Sequence, residues 1–457
     1  MLNNIILNVD SYKTSHWKAY PSGTEYISSY IEPRGGEFNE IVFCLLQAFC
    51  IKYLLPRVTM EQVETADILF RNHGSPFNKE GWKYIVEKHG GSLPIRIEAL
   101  PEGTIVSPGT AVVQVINTDP KCYWLTSYIE TALLRAIWYP TTVASLSYKI
   151  KKLLHLYATM TSENEDVSYK LVDFGSRGAS SLETSQLGGM AHQLLFKASD
   201  NIPGVVGHSE FYGADFRDAG KISAQSIAAG EHSTYSTWGR SHEVDAYRNM
   251  INLFGEPGKM FAVVSDTYDI FNAVDNIWGK ELKDELKMSG ATAIIRPDSG
   301  DPITVLPRLL QSLWASYGGA INRKGYKALD GSVRLIWGDG INYATIESIC
   351  RVLAEDGWSL DNVSFGMGGA LLQQVNRDTC SFAMKASAAK VDDEWRDVFK
   401  DPVTDIGKRS KRGRLAVTKD HKTVRLEKAD SNLLEIVYEN GELKRFQSLD
   451  EVRSRLI

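Results

Sequence analysis

The chain of 457 residues has too few cysteines for a disulfide framework, and they are scattered: Cys44, Cys50, Cys122, Cys350 and Cys380 include no closely spaced pair. Such usage suits a reducing compartment, with the thiols serving as small core residues. An excess of positive charge is also missing. A formal net charge of −5 argues against a protein built around a nucleic-acid backbone, which ordinarily carries a basic surplus. It does not argue against small phosphorylated ligands, for which a few local Arg and Lys suffice. Nor is there a long apolar run: the greasiest window, IVFCLLQAFCIKYLL, is broken by Gln47 and Lys52 and is too short to span a bilayer. The opening MLNNIILNVDSYK lacks a basic leader and meets Asp10 and Lys13 early, unlike a signal peptide. Internal repeats and low-complexity tracts are absent as well. The expectation is a cytoplasmic protein with no membrane or nucleic-acid partner, long enough for two or three lobes.

What is present is a recurring local design. KLVDFGSRG (170–178), FAVVSDTYD (261–269), TAIIRPDSGD (292–301), VRLIWGDGI (333–341) and VSFGMGG (363–369) each open with a short apolar run. Each run ends in a cluster of Gly, Asp, Ser or Arg, and a helical segment follows. Buried parallel strands read this way, with ligand-binding loops at their C-terminal ends. Five such ends predict one site.

The flanks read differently. LPIRIEALPEGTIVSPGTAVVQVINT (93–118) alternates apolar positions between Pro-Gly turns, predicting a small antiparallel sheet. A helical stretch follows, with Trp124, Tyr128, Ala132 and Leu133 on one face and an interruption at Pro140. Near the other end, LLEIVYENGELKRF predicts a hairpin around Asn440 and Gly441, and Ser448 with Glu451 a capping box. The predicted fold class is α/β: an irregular β/α barrel over 141–374, plus a mixed α/β domain formed from both chain ends, 1–140 with 375–457.

Basic residues (Arg177, Arg296, Arg377, Lys385, Lys400) and acidic ones (Asp269, Asp298, Asp301, Asp339) sit in or beside such loop ends. Arginine beside glycine suits phosphate, because a fork of donors meets oxygens that backbone N–H groups can also approach. Neighbouring carboxylates suit ribose hydroxyls or Mg2+. GMGGALLQQ (366–374) reads as a Gly-rich turn opening a helix, a phosphate cradle at its positive end, or equally as a plain strand-to-helix turn. His232, in AAGEHSTYSTWG, fits a nucleophile or acid/base and also a helix-start histidine satisfied by its neighbours. Its distance from His242 is not that of a zinc motif, so no protein-bound metal is expected. The basic run KRSKRGR (408–414) fits a solvated loop, a nucleic-acid patch or phosphate contacts alike.

Taken together the segments resemble the nicotinamide phosphoribosyltransferase family over nearly the whole chain. The stretches that carry the likeness are NVDSYKTSHWKAYP, NTDPKCYWLTSYIETALLRAIWYP, DFGSRGASSLET, AAGEHST, VVSDTYDI, IIRPDSGDP, GDGI, FGMGGALLQ and VFKDPVTDIGKRSKRGRL. The resemblance implies a type II phosphoribosyltransferase fold and a homodimer with each site at the subunit interface. Phe174 then stacks on one face of nicotinamide and Tyr12 of the partner subunit on the other, each pair contributing roughly 0.5–1.5 kcal/mol beyond area burial. Asp200 accepts from the carboxamide. Arg177 and Arg296 grip phosphate or pyrophosphate, Asp298 holds the ribose with Gly338 and Asp339 nearby, and Gly368 and Gly369 meet the 5′-phosphate. Arg377 and, from the partner subunit, Arg34, Lys385 and Lys400 complete the anion wall.

In the same resemblance ATP phosphorylates His232, held by Asp269, with Ser226, Ile227 and Glu231 in the same loop and Mg2+ accompanying pyrophosphate and ATP. Two features depart from vertebrate members. Ser176 replaces an aromatic residue, and the segment after Arg34 is shorter. The rival readings are a nicotinate phosphoribosyltransferase, which should not offer a carboxylate at position 200, and a non-catalytic nucleotide-binding protein on the same scaffold. A phosphate-binding aldolase would need a Schiff-base lysine at a strand end; the five segments offer only Lys170, which precedes its strand.

Overall fold

A computed structural model describes residues 4–404 and 409–456. The chain forms two compact units, one from Met1–Ser145, Gly207–Asp215 and Val375–Ile457, the other from Leu146–Val206 and Phe216–Gln374.

The first unit is organised on a seven-stranded antiparallel sheet to which both ends of the chain contribute. Its order is Glu394–Asp397, Ala383–Val391, Thr24–Glu32, Val113–Asn117, Ile95–Ala99, Glu435–Glu439 and Glu442–Leu443. The predicted sheet over 93–118 is therefore two strands of a larger one. The hairpin turns where expected, with Asn440 (φ 51°) and Gly441 (φ 87°) both left-handed as a tight two-residue turn demands. Ser448 and Glu451 form the anticipated capping box. A fully buried carboxylate, Glu102, accepts from the N–H groups of Leu45 (2.8 Å) and Gln47 (2.7 Å) and from the Tyr212 hydroxyl (2.6 Å). It thereby pins Leu45, which has a positive φ of 65°.

One sequence expectation fails here. The helix Glu130–Thr161 continues through Pro140 instead of stopping. Proline removes one donor and crowds the preceding turn, but hydroxyls just beyond it bond back into the helix. Thr142 donates to the Trp138 carbonyl and Ser145 to that of Thr141, each at 2.6 Å. Trp124, Tyr128, Ala132 and Leu133 are all buried, as their spacing predicts.

The second unit carries all five strand–loop segments in one parallel sheet. The order is Leu171–Asp173, Val363–Met367, Val333–Trp337, Thr292–Arg296, Met260–Val264 and Ala228–Ala229. Parallel bridges Asp173↔Ser199 and Ala198↔Gln225 continue the curl from the first strand through 198–199 to the segment leading into the last. An irregular β/α barrel results. The loops double as helix starts. Asp269, Asp301 and Asn342 each cap the helix that follows, accepting from backbone N–H groups that lack intrahelical partners. Among the described residues no helix is long and apolar enough to cross a membrane. All five cysteines are free and buried.

Candidate functional site

The strand ends of the barrel converge on the Phe174 ring. Phe174 directly follows Leu171–Asp173, and its N–H donates to the Met367 carbonyl (3.0 Å), which locks it beside the neighbouring strand. Two glycines make room for the side chain. A Cβ on Gly366 would lie 1.9 Å from Phe174 Cε2, and one on Gly338 would lie 3.3 Å from the same atom. The guanidinium of Arg296 stands 5.3 Å from the ring centroid, close enough for a cation–π contact. Arg296 also donates from Nε (3.1 Å) and Nη2 (2.7 Å) to Asp298 Oδ1, which fixes its fork. Phe174, Arg296, Asp298 and Gly338, separate in sequence, are thus one cluster.

His232 begins a short helix, half-exposed, and faces that cluster. Its Nε2 lies 3.6 Å from Asp266 Oδ1 and 3.7 Å from Asp298 Oδ2, while Nδ1 is 3.2 Å from the Thr267 hydroxyl. This corrects the role given to Asp269. That carboxylate caps the next helix, its Oδ1 accepting from Phe271 and Asn272 N–H, and Asp266 holds the position beside the imidazole. Asp266 escaped sequence reasoning although it lies in the same motif. The usable signal was distance along the chain, since residue 266 is two past the strand Met260–Val264 and residue 269 is already a helix cap. Asp266 Oδ2 accepts from Asp298 N–H (3.0 Å) and from the Ser299 hydroxyl. Its Oδ1 is buried and has no hydrogen-bond partner among the described residues.

Asp200 is exposed; its N–H donates to the Asp173 carbonyl (3.1 Å) and its Oδ1 accepts from the Ser226 hydroxyl. Ile227 follows, partly exposed. Glu231 sits at the start of the His232 helix and accepts from Ser233 Oγ. Arg177 is exposed in the turn Ser176–Gly178, which touches the Gly-rich turn: a Cβ on Gly178 would lie 3.7 Å from Gly369 Cα. The helix expected to open at that turn is only four residues, Gly369–Leu372, too short for much macrodipole. Any anion there would meet the N–H groups of the turn itself. Beside Gly369 nothing among the described residues lies within 4 Å of a Cβ position. Asp339 is exposed, and its carbonyl accepts from Trp337 Nε1 (2.7 Å).

Tyr12, Arg34, Arg377, Lys385 and Lys400 all belong to the first unit. Tyr12 is 59% exposed, unusual for a tyrosine ring, and meets His16 edge-on. Burial lowers the Lys385 ammonium pKa; Glu130 opposes the shift, while the nearby cations Arg34, Lys400 and Lys13 add to it. Those four cations therefore form one electropositive cluster. Arg377 is exposed and paired with Asp378. Of the basic run at 408–414, Lys408 lies outside the described residues. Of the remainder, Arg409 is paired to Asp401, Lys411 to Glu32 on the sheet, and Arg412 lies over the Phe399 ring at 4.0 Å. Elsewhere in this unit His89, Asp119 and Cys122 bring ligand-type atoms within 4.8 Å of one another. The carboxylate there is already engaged by Tyr84, His89 and Lys121 N–H, and burial pushes the Cys122 thiol up to about 12, away from the thiolate a metal takes.

The description of the nicotinate phosphoribosyltransferase family matches residues 169–442, and that of the nicotinamide phosphoribosyltransferase N-terminal domain matches 4–97. A nicotinamide phosphoribosyltransferase of Xanthomonas campestris pv. campestris is 44% identical, over 99% of this chain and 98% of its own. That of Acinetobacter baylyi is 32% identical over 98% and 96%. Among solved structures, nicotinate-nucleotide pyrophosphorylase from Pyrococcus furiosus superposes with a TM-score of 0.60 at 16% identity, covering 99% of this chain and 94% of that one. Human nicotinic acid phosphoribosyltransferase gives 0.56 at 18%, covering 98% and 92%. These two share the fold.

Proposed function

Given that the chain belongs to the nicotinate phosphoribosyltransferase family, we propose that it transfers the phosphoribosyl group of phosphoribosyl pyrophosphate to nicotinamide, giving nicotinamide mononucleotide and pyrophosphate in NAD salvage. The observation that carries the choice of base is Asp200. An ionised carboxylate only accepts hydrogen bonds, so it welcomes an amide N–H and repels the carboxylate of nicotinate. Phe174 supplies one flat wall, and Tyr12 of the partner subunit the other in a homodimer. The exposed ring of Tyr12, and the cations Arg34 and Lys400 that act on Lys385 together with Lys13, suit such sharing.

Pyrophosphate leaves C1 of the ribose as charge develops toward an oxocarbenium ion, and the pyridine nitrogen captures that carbon. The nitrogen carries no proton, so no general base is required, and catalysis is positioning plus electrostatic stabilisation. Arg296, fixed by Asp298, and Arg177 receive the departing charge; Asp298 and Asp339 flank the sugar side, with the N–H groups of Gly368 and Gly369 for its 5′-phosphate. Asp266 Oδ1, buried beside His232 Nε2 and accepting no hydrogen bond among the described residues, and the Asp298 carboxylate are hard oxygen donors that fit Mg2+, which would neutralise part of the leaving group's charge.

His232 couples the reaction to ATP. Two carboxylates beside Nε2 favour the tautomer protonated there, leaving on Nδ1 a lone pair that the Thr267 hydroxyl (3.2 Å) caps until the phosphate displaces it. Nδ1 attacks the γ-phosphorus, the bond to the β-phosphate oxygen breaks, and ADP departs. Ser226, Ile227 and Glu231 shape the loop. The test is product analysis with nicotinamide and nicotinate in parallel, with and without ATP. Product from the amide alone, stimulated by ATP, is expected; equal use of both pyridines refutes the role of Asp200.

A further inference from the structure

Asp173 is a carboxylate with no exposed surface, and among the described residues no cation pairs with it. Neutral donors hold it instead: Oδ1 accepts from Gly175 N–H (2.7 Å) and Oδ2 from the Asn201 side-chain amide (2.9 Å). An unpaired buried charge is costly, so its retention asks for a reason.

The sequence neighbours supply one. Asp173 precedes Phe174 and Asn201 follows Asp200, so this single contact joins the two segments that carry the ring wall and the amide acceptor. A second link, from Asp200 N–H to the Asp173 carbonyl (3.1 Å), runs parallel to it. Asn201 is itself fully buried and uses its whole hydrogen-bonding capacity. Nδ2 donates to Asp173 and to the Ser185 carbonyl (2.9 Å); Oδ1 accepts from Gly204 N–H (3.1 Å) and the Ser185 hydroxyl (3.3 Å).

Space for this amide is cut by Gly189, where a Cβ would lie 2.5 Å from Asn201 Nδ2. The chain of bonds returns to the pocket through Ser185, whose hydroxyl is 2.7 Å from that of Ser176, two residues past Phe174. Serine at 176 thus closes a loop of polar contacts that an aromatic residue would leave open.

We infer that the Asp173–Asn201 pair is a positioning device, a yoke that sets the placement of Asp200 relative to Phe174 and so governs recognition of the pyridine amide and not the transfer step. This rests on the assignment of Phe174 and Asp200 as the pyridine site.

The decisive variant is Asp173→Asn in the full chain. It is isosteric and keeps an acceptor for Gly175, but presents an NH2 to the NH2 of Asn201. Flipping Asn201 only moves the mismatch to Gly204 N–H. The KM for nicotinamide is expected to rise at least fivefold, with kcat and the KM for phosphoribosyl pyrophosphate within twofold of wild type and a cooperative thermal transition retained. A nicotinamide KM within twofold, or an equal rise in both KM values, overturns the inference. Should Asp173→Asn not fold, Ser185→Ala decides: a two- to threefold rise confined to nicotinamide supports the yoke, and no rise refutes it. Phe174→Ala and Asp200→Ala run alongside. If neither alters the nicotinamide KM, the pyridine site is misplaced; if both do and Asp173→Asn does not, only the yoke fails.

Discussion

Replacing Gly366 with alanine adds one methyl group to the barrel, directly against the Phe174 ring. The new Cβ would lie 1.9 Å from Phe174 Cε2, 2.2 Å from Cδ2 and 2.7 Å from Cζ. Carbon atoms rest at about 3.5 Å or more, so something must yield by roughly 1.5 Å. The strand Val363–Met367 cannot, since Gly366 is in register with Val172 on one side and Phe365 with Trp337 on the other. The ring must leave its nest. Overpacking of this kind costs about 1–3 kcal/mol, and losing the stacked wall removes a further roughly 0.5–1.5 kcal/mol from pyridine binding alone. At about 1.4 kcal/mol per factor of ten, that binding loss raises the nicotinamide KM by roughly two- to tenfold. Steady-state formation of nicotinamide mononucleotide at saturating phosphoribosyl pyrophosphate measures it. Gly338→Ala provides an internal scale, because its Cβ would meet the same ring at 3.3 Å and needs only a few tenths of an ångström; the effect there should be severalfold smaller. A folded Gly366→Ala enzyme whose nicotinamide KM stays within twofold of wild type would refute the placement of the pyridine against Phe174.

The carboxylate beside His232 can be identified by comparing Asp266→Asn with Asp269→Asn: the first should remove most of the ATP stimulation and also lower basal synthesis, since Asp266 is assigned to Mg2+ as well, and the second should lower the melting temperature slightly through its helix cap and spare the stimulation. The reverse pattern would restore Asp269 to the histidine. A pH profile tests Asp173. Burial, with the Asp200 carboxylate adding to the effect, pushes it up to about 6, so the native state binds its proton more tightly than the unfolded chain does. The stability conferred by that proton is therefore present at low pH and lost as the pH rises through about 6. Recognition runs the other way, because the protonated form loses an acceptor: the nicotinamide KM should climb as pH falls below about 6 in the wild type and not in Asp173→Asn. Identical profiles for the two proteins would exclude Asp173 as the titrating group.

Much of the barrel was legible because its strands advertise themselves. Runs such as FAVV and AII are apolar throughout, as strands covered on both faces must be, and each gives way to a cluster of Gly, Asp, Ser or Arg. The strand Ala228–Ala229 was not legible, having two small residues and no run. The link through 198–199 rests on isolated bridges with no periodicity at all. In the other unit Thr24–Glu32 shows no clean alternation, since its last six residues are all buried. Its partner Ala383–Val391 lies far off in sequence, beyond local pattern. At the site, residue type could not separate Asp266 from Asp269; proximity to His232 did. Pro140 misled because helix-breaking is a rule about backbone donors, and nearby hydroxyls bond back into the turn that proline weakens.

The register of the antiparallel sheet has a consequence for biosynthesis. Glu32 pairs with Ala383, so about 350 residues must be translated between one strand and its neighbour. At roughly 5–20 residues per second, Thr24–Glu32 waits on the order of 20–70 seconds on the ribosome with one hydrogen-bonding edge open, while the parallel barrel encoded in between has time to complete itself. A nascent chain stalled before residue 383 would expose that edge, making it the point at which a holdase chaperone has most to protect.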